Sequence, residues 1–326
     1  MKPAKIIGTG SYLPERILTN ADLEKMVETS DEWIVSRTGM RERRIASDAE
    51  FTSTMGIIAA QRAIEKAGID PNSIDLVLVA TLTPDHMFPS TACIIQAALK
   101  IEAAAMDIQA ACSGYIYALS IAKAFIESGL YRTILVIASE KLSSIVDYQD
   151  RATCVLFGDG AAACIVSNEG KGFLIKHPIL GSDGDLTHLL MMPAGGSRQP
   201  ASKETVEGKL HCIKMEGKEV FKHAVRRMES SSKDCIEKAG LTESDISWLI
   251  PHQANLRIIE AIAKRFEVPN DRVFITVDKY GNTSASSICI ALDELLREKT
   301  ISSGENLLLT AFGAGLTWGS LILTHE

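Results

Sequence analysis

Ala63-Ile64-Glu65-Lys66-Ala67-Gly68-Ile69-Asp70-Pro71-Asn72-Ser73-Ile74-Asp75 has a near copy 172 residues later, Cys235-Ile236-Glu237-Lys238-Ala239-Gly240-Leu241-Thr242-Glu243-Ser244-Asp245-Ile246-Ser247. Each copy predicts a helix that stops at glycine (Gly68, Gly240), because a residue without Cβ takes left-handed geometry cheaply. Each leads into an apolar strand, at 76–80 and at 248–250. The same offset lays 135–137 on 307–309 as a second buried strand pair. It also brings the short apolar stretches 106–110 and 273–277 into corresponding places, each before a tight polar turn and a helix. Strands that alternate with helices belong in parallel sheets covered on both faces. The reading is an α/β chain of two similar halves, 1–170 and 171–326, packed about a pseudo-twofold axis. A repeat alone says nothing about chemistry.

Working outward, the whole chain of 326 residues is 46% apolar and 23% charged, the composition of a globular protein. A net charge of −7 argues against nucleic acid as a partner. The start, from Met1 to Gly8, has neither the apolar core nor the cleavage pattern of a signal peptide. No apolar run reaches the roughly 18 residues of a membrane span, so the expected setting is the cytoplasm, away from membranes. The cysteines number seven, without CxxC pairs, which suits neither a disulfide framework nor a zinc site. Cys93, Cys154, Cys164, Cys212, Cys235 and Cys289 read as small buried hydrophobes. The glycine- and proline-rich region 181–217 reads as a long loop, either a lid or subunit contact or a plain surface insertion.

The repeat also singles out chemistry. It sets Ala110-Ala111-Cys112-Ser113-Gly114 against Gly281-Asn282-Thr283-Ser284-Ala285, with Cys112 opposite Ser284. Both turns open helices that are apolar on nearly every face, 115–126 and 286–296, and therefore central and buried. A thiol at such a helix N-terminus is expected to have a lowered pKa. His252, in Pro251-His252-Gln253-Ala254-Asn255, closes the second repeat's strand at its carboxyl end, where α/β sheets carry their sites. Cys112, His252 and Asn282 thus all fall at carboxyl ends of predicted strands. A Cys–His–Asn set also occurs in papain-like proteases, which lack this duplication and have a different sequence around the cysteine.

Seven segments now carry a resemblance that spans nearly the whole chain. They are Ile6-Ile7-Gly8-Thr9-Gly10-Ser11-Tyr12-Leu13-Pro14, Asp31-Glu32-Trp33-Ile34 with Arg37-Thr38-Gly39, Ala111-Cys112-Ser113-Gly114, and Phe157-Gly158-Asp159-Gly160-Ala161. The others are Pro251–Asn255, Gly281–Ser284 and Phe312-Gly313-Ala314-Gly315-Leu316-Thr317-Trp318-Gly319. Together they resemble the thiolase-fold condensing enzymes, and most of all the 3-oxoacyl-[acyl-carrier-protein] synthase III family. The resemblance implies a thiolase-like fold, two duplicated halves with mixed sheets in αβαβα layers. It implies an acyltransferase of fatty acid synthesis that works as a homodimer without a permanently bound cofactor. Cys112 would take the acyl group of an acyl-coenzyme A, acetyl by default. Malonyl-acyl carrier protein would then lose CO₂, and its enolate would attack the acyl-Cys112 carbonyl. His252 and Asn282 would hold the enolate oxygen. The backbone N–H groups of Cys112, Ala314 and Gly315 would hold the tetrahedral oxyanion, with Gly315 rather than Ala314 supplying any positive φ.

The resemblance also implies a coenzyme A site at Trp33, Arg37, Thr38, Arg151, Phe221 and Asn255, with adenine between Trp33 and Arg151 and a phosphate on Arg37. Acyl carrier protein is acidic, so a basic face is expected from Lys222, Arg226, Arg227, Arg257, Lys264 and Arg265, with Gln253, Ala254, Asn255 and Leu256 leading to it. Phe88 would close the acyl pocket across a dimer interface. A thiolase would need a second cysteine in the turn 312–315, which reads Phe-Gly-Ala-Gly. Chain-elongating synthases resemble a Cys–His–His set, whereas the third member here is Asn282. A hydroxymethylglutaryl-type synthase would want a catalytic Glu in a matching motif. Plant-type polyketide synthases share Cys–His–Asn but are longer. A secondary-metabolite enzyme of the same subfamily and a non-catalytic partner subunit remain as alternatives.

Overall fold

The computed structural model describes residues 2–326. Nine strands form one continuous sheet in the order Ile246–Pro251, Asn306–Gly313, Thr317–His325, Phe173–Ser182, Lys5–Tyr12, Gly160–Ser167, Thr133–Glu140, Leu76–Ala80, Ala104–Ile108. The ends of this list mirror each other. Leu76–Ala80 runs parallel to Thr133–Glu140, which is antiparallel to Gly160–Ser167. Likewise Ile246–Pro251 runs parallel to Asn306–Gly313, which is antiparallel to Thr317–His325. The two sets join where Lys5 and Ile6 pair with Leu174 and Phe173. The sheets are therefore mixed, not the purely parallel ones that strand–helix alternation suggested. The expected boundary at residue 170 falls between Gly160–Ser167 and Phe173–Ser182.

Sheet and helix stack in five layers. Helices Gly114–Ser128 and Ser286–Glu298 lie in the middle, where Tyr115, Leu119, Ile288 and Leu292 pack against strand residues of both sets. Thr52–Ala67 covers the far side of the first set, and Gly217–Lys238 with Leu256–Arg265 covers the far side of the second. The buried carboxylate Asp293 would be costly between the halves if unpaired. It instead accepts from Thr9 Oγ1 at 2.8 Å and Ser11 Oγ at 2.6 Å, and so ties the second central helix to the first strand.

Two expectations need correction. Residues 273–277 form no ladder strand. Leu249 and Val273 share an isolated bridge, and the chain then enters the short helix Val277–Tyr280. The cause is Gln253, whose Oε1 accepts from Thr276 N at 2.8 Å and Val277 N at 3.2 Å. Those backbone donors therefore need no strand partner. Nor is 181–217 a bare loop. It folds as the 3₁₀ turn Gly184–Leu189, the paired strands Leu190–Met191 and Lys214–Met215, and helix Lys203–Glu207.

Candidate active site

Cys112 sits in a 3₁₀ turn, Ala111–Ser113, that runs into helix Gly114–Ser128. Ala111 has φ 45°, left-handed geometry that is strained for a residue with Cβ. Ser113 returns both its N–H (3.1 Å) and its hydroxyl (2.8 Å) to the Ala110 carbonyl. The second turn is built the same way. Ser284 has φ 51°, and Ser286 returns its N–H (3.2 Å) and hydroxyl (2.9 Å) to Thr283. The structural register is thus 173 residues, not 172. Ala111 corresponds to Ser284, and Cys112 to Ala285. The helix starts meet at the axis, where a Cβ on Gly114 would lie 3.4 Å from that of Ala285.

Asn282 precedes the second turn, at the end of helix Val277–Tyr280 rather than of a strand. Its backbone is held by Leu156 (2.8 Å) and Gly158 (3.1 Å). Its Oδ1 accepts from Ser284 N at 2.8 Å, which fixes the amide orientation and leaves Nδ2 with no partner among the described residues. His252 follows the strand end, with its N–H on the Thr310 carbonyl at 2.8 Å and Nδ1 at 2.7 Å from Ser287 Oγ. Burial drives the His252 ring down to about 3, so it is neutral at physiological pH.

Cys112, His252 and Asn282 share the wall of one cavity of about 750 Å³. Leu142, Phe157 and Ile213 pack together along another stretch of its wall, and the 181–217 segment contributes Leu190, Met191 and Gly195. The expected depression of the Cys112 thiol is not found. Burial pushes it up to about 12, against a pull downward from the Ser284 hydroxyl and with a further push from the Glu140 carboxylate. Desolvation of a nearly enclosed sulfur outweighs the helix end. Glu140 is itself fully buried, and burial pushes it up to about 7 despite hydrogen bonds from Thr83 and Leu82. Ser284 borders both groups, and its Oγ is buried without a well-formed hydrogen bond.

Gly313, at the end of strand Asn306–Gly313, packs against the Cys112 backbone. A Cβ on Gly313 would come within 2.6 Å of Cys112 N, so only glycine lets the two backbones approach. Gly315 carries φ 134°, while Ala314 keeps ordinary geometry. The arrangement offers a thiol, a neutral imidazole and a side-chain amide on the wall of one cavity, with a glycine-bordered backbone N–H beside the thiol. That is the equipment for adding a nucleophile to a thioester and stabilising the oxyanions that follow.

Known proteins point the same way. Residues 106–184 match the model of the 3-oxoacyl-[acyl-carrier-protein] synthase III family, and residues 236–325 match that of its C-terminal part. A beta-ketoacyl-[acyl-carrier-protein] synthase III of Chlamydia caviae is 60% identical over 325 residues, 99% of this chain and 97% of that protein. The chain belongs to the 3-oxoacyl-[acyl-carrier-protein] synthase III family. It is an acyltransferase of the condensing type, with the thiolase fold and a place in fatty acid biosynthesis. The synthase III crystal structure from Aquifex aeolicus superposes with a TM-score of 0.91 at 48% identity, covering 99% of this chain and 100% of that one. The priming beta-ketosynthase of the R1128 polyketide pathway also superposes with a TM-score of 0.91, at 37% identity and covering 100% and 97%.

Within this synthase III fold, the surface residues expected to bind substrate and partner divide. The Arg151 guanidinium lies 5.0 Å from the centroid of Trp33, leaving no room for a base until Arg151 swings away. Arg37 is exposed, but Thr38 is not available to a ligand. It is buried, gives its hydroxyl to Ile34 O at 2.7 Å and accepts from Met40 N at 3.0 Å. Phe221 and Asn255 line the cavity, although the Asn255 amide already caps Arg257 N (2.9 Å) and donates to Arg37 O (3.0 Å).

Gln253 is no docking residue. It is buried, with Nε2 on Pro251 O at 2.7 Å, and holds the second repeat's loops together. Ala254 and Leu256 are half-buried. Among the cations, Arg227 is neutralised by Asp183 at 2.9 Å, while Lys222 faces Glu219 (2.7 Å) and Arg265 faces Glu229 (3.4 Å). Arg226 and Lys264 stand exposed, and Arg257 lies over Phe221. Phe88 is 86% exposed and away from this chain's cavity, although its neighbour Met87 lines it. Sequence reasoning missed Ser287, Glu140 and the scaffolding role of Gln253. Ser287's place in the first turn of the second central helix was the available signal for it.

Proposed function

We propose that the chain primes chain building by condensing an acyl-coenzyme A, by default acetyl, with malonyl-acyl carrier protein. Cys112 Sγ attacks the thioester carbonyl, the carbon–sulfur bond to coenzyme A breaks, the thiol proton passes to the leaving coenzyme A sulfur, and acyl-Cys112 remains. The helix end at Gly114–Ser128 favours the charge that develops on sulfur and on the carbonyl oxygen. Malonyl thioester then loses CO₂, and the negative charge collects on the thioester oxygen. Asn282 and His252, both neutral, donate to that oxygen. The carbanion attacks acyl-Cys112, with Cys112 N–H and the 313–315 turn as oxyanion donors; the carbon–sulfur bond to Cys112 then breaks, its sulfur takes a proton from solvent, and 3-oxoacyl-acyl carrier protein leaves.

The observation that carries this reading is a buried thiol that shares one cavity wall with a neutral imidazole and with an amide whose Oδ1 is already taken. A protonated histidine is not needed, because decarboxylation itself supplies the carbanion. The reading includes two half-domains, 1–170 and 171–326, and a cytoplasmic homodimer. Exposed Met87 and Phe88 are apolar surface suited to a second copy, with Phe88 closing the neighbour's pocket. It includes a basic docking area around Arg257 and Lys264 and no resident cofactor. The experiment is incubation with radiolabelled acetyl-coenzyme A followed by peptide mapping. Label on the Cys112 peptide is expected, and a chain that takes no label from any primer would be a non-catalytic partner. A primer series of increasing length, straight and branched, then reads out acyl preference. The likeness to the R1128 priming enzyme supports a second reading, a secondary-metabolite synthase. Preference for a long or branched primer and for a dedicated carrier protein would favour it.

A further inference from the structure

His252 and Asn282 can both stabilise an enolate only if each presents an N–H to the cavity. For Asn282 the Ser284 N–H settles the matter by occupying Oδ1. For His252 the outcome turns on Ser287, which is 2% exposed and sits in the first turn of helix Ser286–Glu298. Its Oγ lies 2.7 Å from Nδ1 and already accepts the Gln253 backbone N–H at 3.3 Å.

We propose that Ser287 is a positioning residue for the condensation, its hydroxyl donating to His252 Nδ1 so that the ring proton is fixed on Nε2 and faces the cavity. The opposite tautomer would put two donors, Nδ1–H and Gln253 N–H, on one hydroxyl. The Ser287 proton would then be buried without an acceptor among the described residues, an arrangement folded proteins avoid. It would also turn the Nε2 lone pair toward a negatively charged oxygen. The tautomer set by Ser287 satisfies every group: Gln253 N–H gives to Oγ, Oγ–H gives to Nδ1, and Nε2–H is left for substrate. Burial supports this by keeping the imidazolium out of reach.

The proposal rests on the condensing reading but is separable from it. The chain holds seven histidines, so ¹⁵N-histidine spectra of the full chain are assigned by the loss of one signal pair in His252→Asn. The free protein should show an unprotonated Nδ1 and a protonated Nε2 at His252. A proton on Nδ1 overturns the proposal whatever the activity. In Ser287→Ala the tautomers should mix, and malonyl-acyl carrier protein decarboxylation should fall roughly 10- to 100-fold while acyl-Cys112 still forms at the parent rate. Ser287→Thr, which keeps the hydroxyl, should restore most of the loss. Undiminished decarboxylation in Ser287→Ala, or equal loss of acylation, overturns the positioning role. Failure of the parent to take label on Cys112 would instead remove the condensing reading and leave the tautomer measurement standing.

Discussion

Residues 110–114 and 283–287 follow one backbone path, with a non-glycine residue at positive φ, a serine folded back on the carbonyl three residues earlier, and a buried helix. The chemistry hung on that path differs. In the first turn the residue after the strained position is Cys112, while in the second it is Ala285. Gly114 in the first is matched by Ser287 in the second. Gly114 has no side chain to offer and packs at Ala80, whereas Ser287 reaches His252. The duplication therefore supplies two equivalent helix starts on one axis, and on the proposed reading a few side chains make one a nucleophile and the other a holder of donors.

Removing the nucleophile should break this division most completely. Cys112→Ala is expected to lose condensation by on the order of 10⁴-fold or more, read as product formed from acyl-coenzyme A and malonyl-acyl carrier protein. Full activity would mean that the first turn carries no chemistry. Removing a donor should be milder and one-sided. Asn282→Ala is expected to slow decarboxylation by about 10²- to 10³-fold while acylation of Cys112 survives. Equal loss of both steps would show that the two turns do not divide the labour.

Glu140, beside Ser284 and Cys112, sharpens the electrostatic side. Its carboxyl is held up to about 7 by burial, against an ordinary 4.5. Between those values the folded chain keeps a proton that the unfolded chain has released. Stability therefore falls as pH rises through the window, by on the order of 3 kcal/mol in total. Glu140→Gln removes the slope, so its Tm relative to the parent should climb from pH 4.5 to 7 and then level off. The difference between the two proteins cancels the opposite slope of His252, whose lowered pKa makes stability rise with pH below 6.5. Above pH 7 the variant thiol should also alkylate a few-fold faster, because a nearby negative charge has gone. A Tm difference that is flat with pH would contradict the burial of this group.

The smallest effect is expected at the strained position itself. Ala111→Gly relieves φ 45° at the cost of a more flexible unfolded chain, for a net change of about 1 kcal/mol or less in urea unfolding. Activity that survives this change would show that the turn's path matters more than its side chain.

Much of this was legible in the chain. The repeat announced two halves because helix stops and buried strands leave local marks, glycine and unbroken apolar runs, that need no partner to be read. Cys112, His252 and Asn282 stood out because each falls at the carboxyl end of a predicted strand, although Asn282 in fact follows the short helix Val277–Tyr280. Other features were beyond local reading. Whether 273–277 forms a strand depends on a glutamine side chain some twenty residues earlier in the chain. The register of 173 is set by which carbonyl each serine finds. The thiol's acidity was misjudged because helix position can be read from sequence, whereas desolvation depends on everything packed around the sulfur. Sequence by itself determined the two halves, the two helix starts and the residue types able to act. Only the tertiary structure decided which of these groups meet, because the contact of Ser287 with His252 and the push of Glu140 on Cys112 depend on distance in space and not on spacing along the chain.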